Sequence, residues 1–122
     1  MYCQMKGLND MKTKEFIENY QLHDSLVKGY VFSIVEGKLT LELELCNWKQ
    51  AGYTENEPEM VDVKLNFQRV KSFKIDPENF VPNYNDILTT EPIIGGVKFV
   101  VLYEGDVAIL TIIADVLFFE LK

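Results

Sequence analysis

The sequence predicts a mainly β, β-rich α+β fold: an antiparallel six- or seven-stranded curled sheet, sandwich or partly open barrel with a short N-terminal helix. Three observations carry that expectation. Leu39, Leu41, Leu43 and Leu45 alternate with Thr40, Glu42 and Glu44, the period of two that marks a half-buried strand. Val61, Val63, Leu65 and Phe67 repeat the pattern, and so do Val97, Phe99, Val101 and Tyr103. Eight Phe, six Tyr and one Trp supply rings that suit a pleated surface and carry large burial energies. The apolar runs are joined by tight turns, which implies antiparallel pairing.

Residues 1–12 show no period and read as a flexible N-terminal tail, leaving residues 13–122 as a single β-rich domain. From Thr13 to Tyr20 a short helix is expected. Thr13 can cap it, Glu15 sits in the first turn, and Phe16, Ile17 and Tyr20 share one stripe. Two turns are too short to be stable alone, so the helix must lean on the sheet. Leu26, Lys28, Tyr30, Phe32 and Ile34 form one alternating series, with Val27, Val31 and Val35 on the other face, as in a strand buried on each side or one partly covered by the helix. Glu36-Gly37-Lys38 turns this strand into the leucine strand, a hairpin whose register is set because a one-residue slip would bury both glutamates.

Trp48 to Glu59 reads as a polar connecting loop, followed by the Val61–Phe67 strand. Val70 to Ile75 extends that strand or forms a short one of its own. Asp76-Pro77-Glu78 has the form of a helix start, with a capping aspartate and proline at the first position, and Pro82 stops that helix at once. The stretch from there to Pro92 reads as irregular. Gly95-Gly96 serves a turn into the Val97–Tyr103 strand, Glu104-Gly105-Asp106 turns the chain, and Val107 to Ile113 returns. Ala114-Asp115 interrupts the last apolar run at a bulge or turn before the final strand, Val116 to Leu121.

A chain of 122 residues suits one domain large enough for a self-sufficient core. Twelve basic and nineteen acidic groups give a net charge of −7. That total argues against nucleic acid, whose phosphates demand a basic face, and equally against docking on anionic lipid. Cys3 and Cys46 form no Cys-x-x-Cys pair and read as reduced thiols. With no apolar signal segment and no run of about 18 apolar residues, the expected location is the cytoplasm.

Little in the chain can do chemistry. Four-ligand zinc sites want close Cys or His pairs, and this sequence has one His and two Cys; no metal or cofactor is expected. His23 is the only candidate general base, and Ser25, two residues along an extended segment, lies about 7 Å off and beyond reach as its nucleophile. His23-Asp24-Ser25 is better read as structural, its polar groups bonding nearby backbone to lock the corner before the first long strand. On that reading His23→Ala removes a buried polar link and lowers stability by about 1–3 kcal/mol. Glu42 and Glu44 share one strand face and read as solvated. Trp48 and Tyr53, with Glu55, Glu57, Glu59 and Asp62 close behind, form a candidate partner surface in which rings anchor and acids set the partner's sign.

Leu22-His23-Asp24-Ser25-Leu26, an alternating hairpin that ends near Trp48, and a terminal pair of apolar strands together resemble small bacterial β-rich domains that carry a His-Asp-Ser motif before their first strand. Some of those are predicted immunity proteins of polymorphic toxin systems. The resemblance spans Phe16 to Leu121 and implies an intracellular, non-enzymatic binding role with a protein partner such as a cognate toxin. It brings no catalytic residues to positions here. A small-molecule-binding β domain is the alternative expectation, and a hydrolase using His23 a third. Exposed strand edges also leave a homodimer open.

Overall fold

The leucine–glutamate alternation places β3 (Lys38–Cys46) inside the sheet: Leu39, Leu41, Leu43 and Leu45 are fully buried, while Thr40, Glu42 and Glu44 stay partly exposed. The computed structural model describes residues 10–114 and 116–121. β3 is flanked by β2 (Leu26–Ser33) and β4 (Met60–Gln68), and β9 (Val116–Leu121) and then β1 (Asp10–Lys12) extend this half beyond β4. The other half is the meander β6 (Asn85–Ile93), β7 (Gly96–Tyr103) and β8 (Asp106–Ile113), with β5 (Ser72–Asp76) paired to β8. The whole is one open antiparallel sheet ordered β1-β9-β4-β3-β2-β6-β7-β8-β5. Strand pairing continues from one half to the other where Leu26 and Val27 pair with Asp86 and Asn85. Their buried residues form one hydrophobic cluster, with Leu41, Leu65 and Phe119 from one half and Phe99, Leu110 and Ile112 from the other.

The mainly β class, the antiparallel pairing and the short helix are as expected, but the described residues form nine strands rather than six or seven. The additions are β1 and β6. β1 lies within the expected tail and pairs through its backbone with β9, so no side-chain pattern announces it. The remainder of that tail, including Cys3, lies outside the described residues. β6 occupies the stretch read as irregular. Ile87 is its one fully buried residue, and a register shift between Ile87 and Thr89 breaks its alternation. Beyond the two pairs with β2, no strand among the described residues pairs with its far side, which is how it accommodates Pro92.

Three local readings change as well. A register shift between Val27 and Gly29 moves the inward face of β2 by one residue. Val27, Tyr30 and Phe32 therefore lie opposite the buried Leu43, Leu41 and Leu39, whereas Val31 is 66% exposed. The strand is thus covered on one side only. The helix α1 (Thr13–Asn19) starts without a threonine cap: the Lys12 N–H donates to Glu15 Oε1 at 3.1 Å, and the buried Thr13 hydroxyl donates to the Ala114 carbonyl at 2.7 Å. Asp76-Pro77-Glu78 starts no helix, because Asp76 stays in β5 opposite Ile109. The chain makes one turn, with the Phe80 N–H on the Pro77 carbonyl at 3.0 Å, and Phe80 enters the core against Tyr103.

Candidate functional site

The corner Leu22–Ser25 is built by backbone bonds. The Ser25 N–H donates to the Leu22 carbonyl at 2.9 Å, the Asp24 N–H to Ile87 at 3.0 Å, and the Ile87 N–H returns to Ser25 at 2.8 Å. Asp24 takes a φ of 72°, a left-handed conformation that aspartate tolerates better than most residues. Of the His-Asp-Ser motif, the buried member is Ser25. Its Oγ accepts the Cys46 N–H at 2.8 Å and ties the corner to the end of β3.

His23 and Asp24 instead point outward, each side chain 55% exposed. Both meet Lys49, whose Nζ lies 3.0 Å from Asp24 Oδ2 and 3.3 Å from His23 Nδ1. His23 Nδ1 can accept from an ammonium only when it carries no proton of its own. The Lys49 hydrogen bond holds the Asp24 carboxyl below its ordinary pKa. The same ammonium sits 5.4 Å from the centroid of the Trp48 ring. The sequence-based cost of His23→Ala is therefore revised, since no buried bond depends on that imidazole. Ser25→Ala is expected to lose about 1–3 kcal/mol, because it strands the buried Cys46 N–H. His23→Ala should leave the urea midpoint nearly unchanged; equal midpoint shifts for the two variants would contradict this division of labour.

Trp48 lies in a 3-10 turn, Asn47–Lys49, clamped to the far end of its own loop. The Asn47 and Trp48 N–H groups both donate to the Glu59 carbonyl, at 2.7 and 3.3 Å, and Asn47 Nδ2 donates to Pro58 at 2.9 Å. Buried Gln50 fastens the turn to the chain leaving α1: its Nε2 donates to the Gln21 and Cys46 carbonyls, and its Oε1 accepts the Gln21 N–H. On this base Trp48, 51% exposed, lines an open cleft of about 510 Å³ with Tyr53, Glu55 and Glu59. Partial burial, then the charges of Glu59, Glu57 and Glu55, push the Tyr53 phenol above its ordinary pKa.

Four of the six residues expected to form a partner surface thus share one cleft. Glu57 holds the loop, its Oε1 accepting the Thr54 N–H and its carbonyl the Tyr53 hydroxyl. Asp62 lies apart in β4, paired at 3.0 Å with Lys28 of β2, and raises the pKa of that lysine. Lys49 and Gln50 were missed from sequence, because each acts on residues more than twenty positions away.

The surroundings are strongly acidic. Segments 20–25, 46–60, 76–86 and 103–107 come together at this end of the sheet, where the Cys46 N–H donates to Ser25 Oγ, Leu26 pairs with Asp86, and Asn85 Nδ2 donates to the carbonyl of Leu102, next to Tyr103. Together they hold nine carboxylates and, among basic side chains, only Lys49 and the imidazole of His23. A second cleft, of about 660 Å³, opens between β2 and β5, lined by Tyr30, Phe32, Phe73 and Ile75 with the polar Lys74, Asp76 and Glu78. Phe73 meets Tyr30 and Phe32 edge-on at 5.1 and 5.3 Å. Among the described residues no group of three or more His, Cys, Asp or Glu is placed to hold a metal ion, and no helix is long and apolar enough to cross a membrane. No family model, no curated protein and no solved structure matches this chain.

Proposed function

We propose that this chain is a non-enzymatic bacterial binding protein that takes a cationic protein partner at its Trp48 end, as an immunity protein holds a cognate toxin in the cytoplasm. The observation that carries the reading is the half-exposed Trp48 beside Tyr53, Glu55 and Glu59, set within an end that holds nine carboxylates. An aromatic residue on a hydrogen-bonded base makes an anchor of low entropic cost, and the surrounding acids select the sign of the partner and speed encounter. Occlusion by one-to-one binding requires no turnover.

Co-expression with the product of the adjacent gene tests this, scored by growth rescue and co-purification. The wild type is expected to rescue and to co-purify in a salt-sensitive complex. Trp48→Ala should weaken that complex about thirtyfold or more, the effect of losing an interface anchor. Neither rescue nor a complex, or a complex indifferent to both Trp48 and salt, would end the proposal.

A second reading rests on the cleft of about 660 Å³ between β2 and β5, whose three rings and Ile75 offer apolar walls to a small molecule while Lys74, Asp76 and Glu78 supply orienting groups. A hydrolase using His23 is the weaker reading, because the nearby Ser25 hydroxyl is buried and accepts the Cys46 N–H.

A further inference from the structure

The end of the sheet opposite Trp48 has a different character. Ile34 and Val35, in the turn between β2 and β3, are 80% and 93% exposed, and Ile94, in the turn between β6 and β7, is 98% exposed. These turns belong to one end because the chain ties them together. The Val70 N–H donates to the Gly37 carbonyl and the Lys71 N–H to the Ile113 carbonyl, both at 2.8 Å, and Ile113 pairs with Gly96 beside Ile94. The Thr13 hydroxyl on the Ala114 carbonyl brings the start of α1 to the same place.

Around the aliphatic tips stand five exposed basic residues, Lys12, Lys14, Lys38, Arg69 and Lys71. Segments 12–15, 34–38, 69–72, 93–96 and 113–115 hold three acids in opposition, Glu15, Glu36 and, by sequence, Asp115. Arg69 and Lys71 also line an open cleft of about 400 Å³ with Gly95, Ile113 and Ala114.

We propose that this end docks on an anionic lipid bilayer, with Ile34, Val35 and Ile94 entering the interface and the five bases facing its head groups. Such a surface was set aside from sequence on the total of −7, but the total averages two poles of opposite sign. Strands of eight or nine residues separate those poles by roughly 26–30 Å, at about 3.3 Å per residue. The Debye length at physiological salt is about 8 Å, so the acidic pole is screened from a membrane lying against the basic one. The bilayer feels the local excess of bases, which is the complement of phosphatidylserine.

The exposures favour lipid over a second copy of this chain. Each tip side chain touches almost nothing, which suits insertion into a deformable medium and not a preformed flat face. Head-to-tail stacking of the basic pole on the acidic one would also give an open filament, not a closed oligomer.

Flotation with vesicles tests the proposal, using phosphatidylcholine alone and phosphatidylcholine with about a third phosphatidylserine at about 0.15 M salt. The wild type should float with the anionic vesicles only. The double variant Val35→Asp/Ile94→Asp should bind about tenfold less, as should Lys38→Glu/Lys71→Glu, both with unchanged circular dichroism. Trp48→Ala should float like the wild type, which separates this surface from the proposed partner site. Wild-type protein that ignores phosphatidylserine, or tip variants that float as well as wild type, would overturn it. So would self-association without vesicles that the tip substitutions abolish, since the occupant would then be a second copy.

Discussion

Gly96→Ala is expected to lower the free energy of unfolding by at least about 3 kcal/mol, at the severe end of overpacking effects. A methyl group at Gly96 would stand 1.8 Å from the Ile112 carbonyl oxygen and 2.9 Å from both the Ile112 carbonyl carbon and the Ile113 Cα. All three are backbone atoms, so no rotamer change relieves the clash. β8 cannot retreat either, because its other edge is paired with β5, Ser72 opposite Ile113. Two neighbouring comparisons isolate the cause. Gly95 turns the chain at a φ of +78°, and alanine there meets only the Ile113 side chain at 3.6 Å, so its cost is the roughly 1–2 kcal/mol of a left-handed residue. A methyl group at Gly29 meets no atom within 4 Å, and Gly29→Ala should stay within about 0.5 kcal/mol of wild type. Urea denaturation of the three variants reads this order. A Gly96→Ala midpoint equal to that of Gly29→Ala would mean that β7 and β8 do not approach so closely.

The Gly95-Gly96 pair illustrates where sequence reading stops. A glycine pair before an apolar strand announces a turn, and Gly95 makes it. That Gly96 is required by a backbone passing behind it depends on β8, whose position no local pattern encodes. β3, β4 and β7 were legible because one face of each is buried along its whole length, which leaves an unbroken period of two. β6 was not, because its burial is nearly confined to Ile87. β2 reads as apolar on both faces for a related reason: one extra residue near Lys28 changes the phase, so inward positions before and after it fall on different alternating series.

The candidate site divides in the same way. Trp48, Tyr53, Glu55 and Glu59 stood out as rings and acids close together in sequence, and the loop that carries them brings them to one cleft. Lys49 and Gln50 take their meaning from Asp24 and Gln21, which only folding brings near. The basic end was invisible for the same physical reason. Its five bases come from three separate stretches of chain, and a charge total cannot show that they converge.

Phe16→Ala is expected to cost about 3–5 kcal/mol, as for other buried phenylalanines reduced to alanine, against a total stability of about 5–15 kcal/mol for a domain of this kind. Phe16 is fully buried, stacked on Tyr20 at 4.8 Å and tilted against Phe119 of β9 at 5.7 Å. α1 also contacts β6 and β7, so this ring sits where the helix bridges the two halves of the sheet. Seven residues cannot hold a helix in water, and α1 exists because Phe16 and Tyr20 pack and Thr13 is bonded to Ala114. Loss of the ring should therefore spread beyond the cavity. The chain leaving α1 carries Gln21, whose bonds to Gln50 support the Trp48 turn, so the emission of the single tryptophan should change before the sheet unfolds. Ile17→Ala, at a half-buried position, should shift the urea midpoint less. If Phe16→Ala lost amide protection across Thr13–Asn19 yet kept the wild-type midpoint and tryptophan signal, α1 would be an appendage, and the support it lends to the Trp48 end would have to come from β3 and the loop alone.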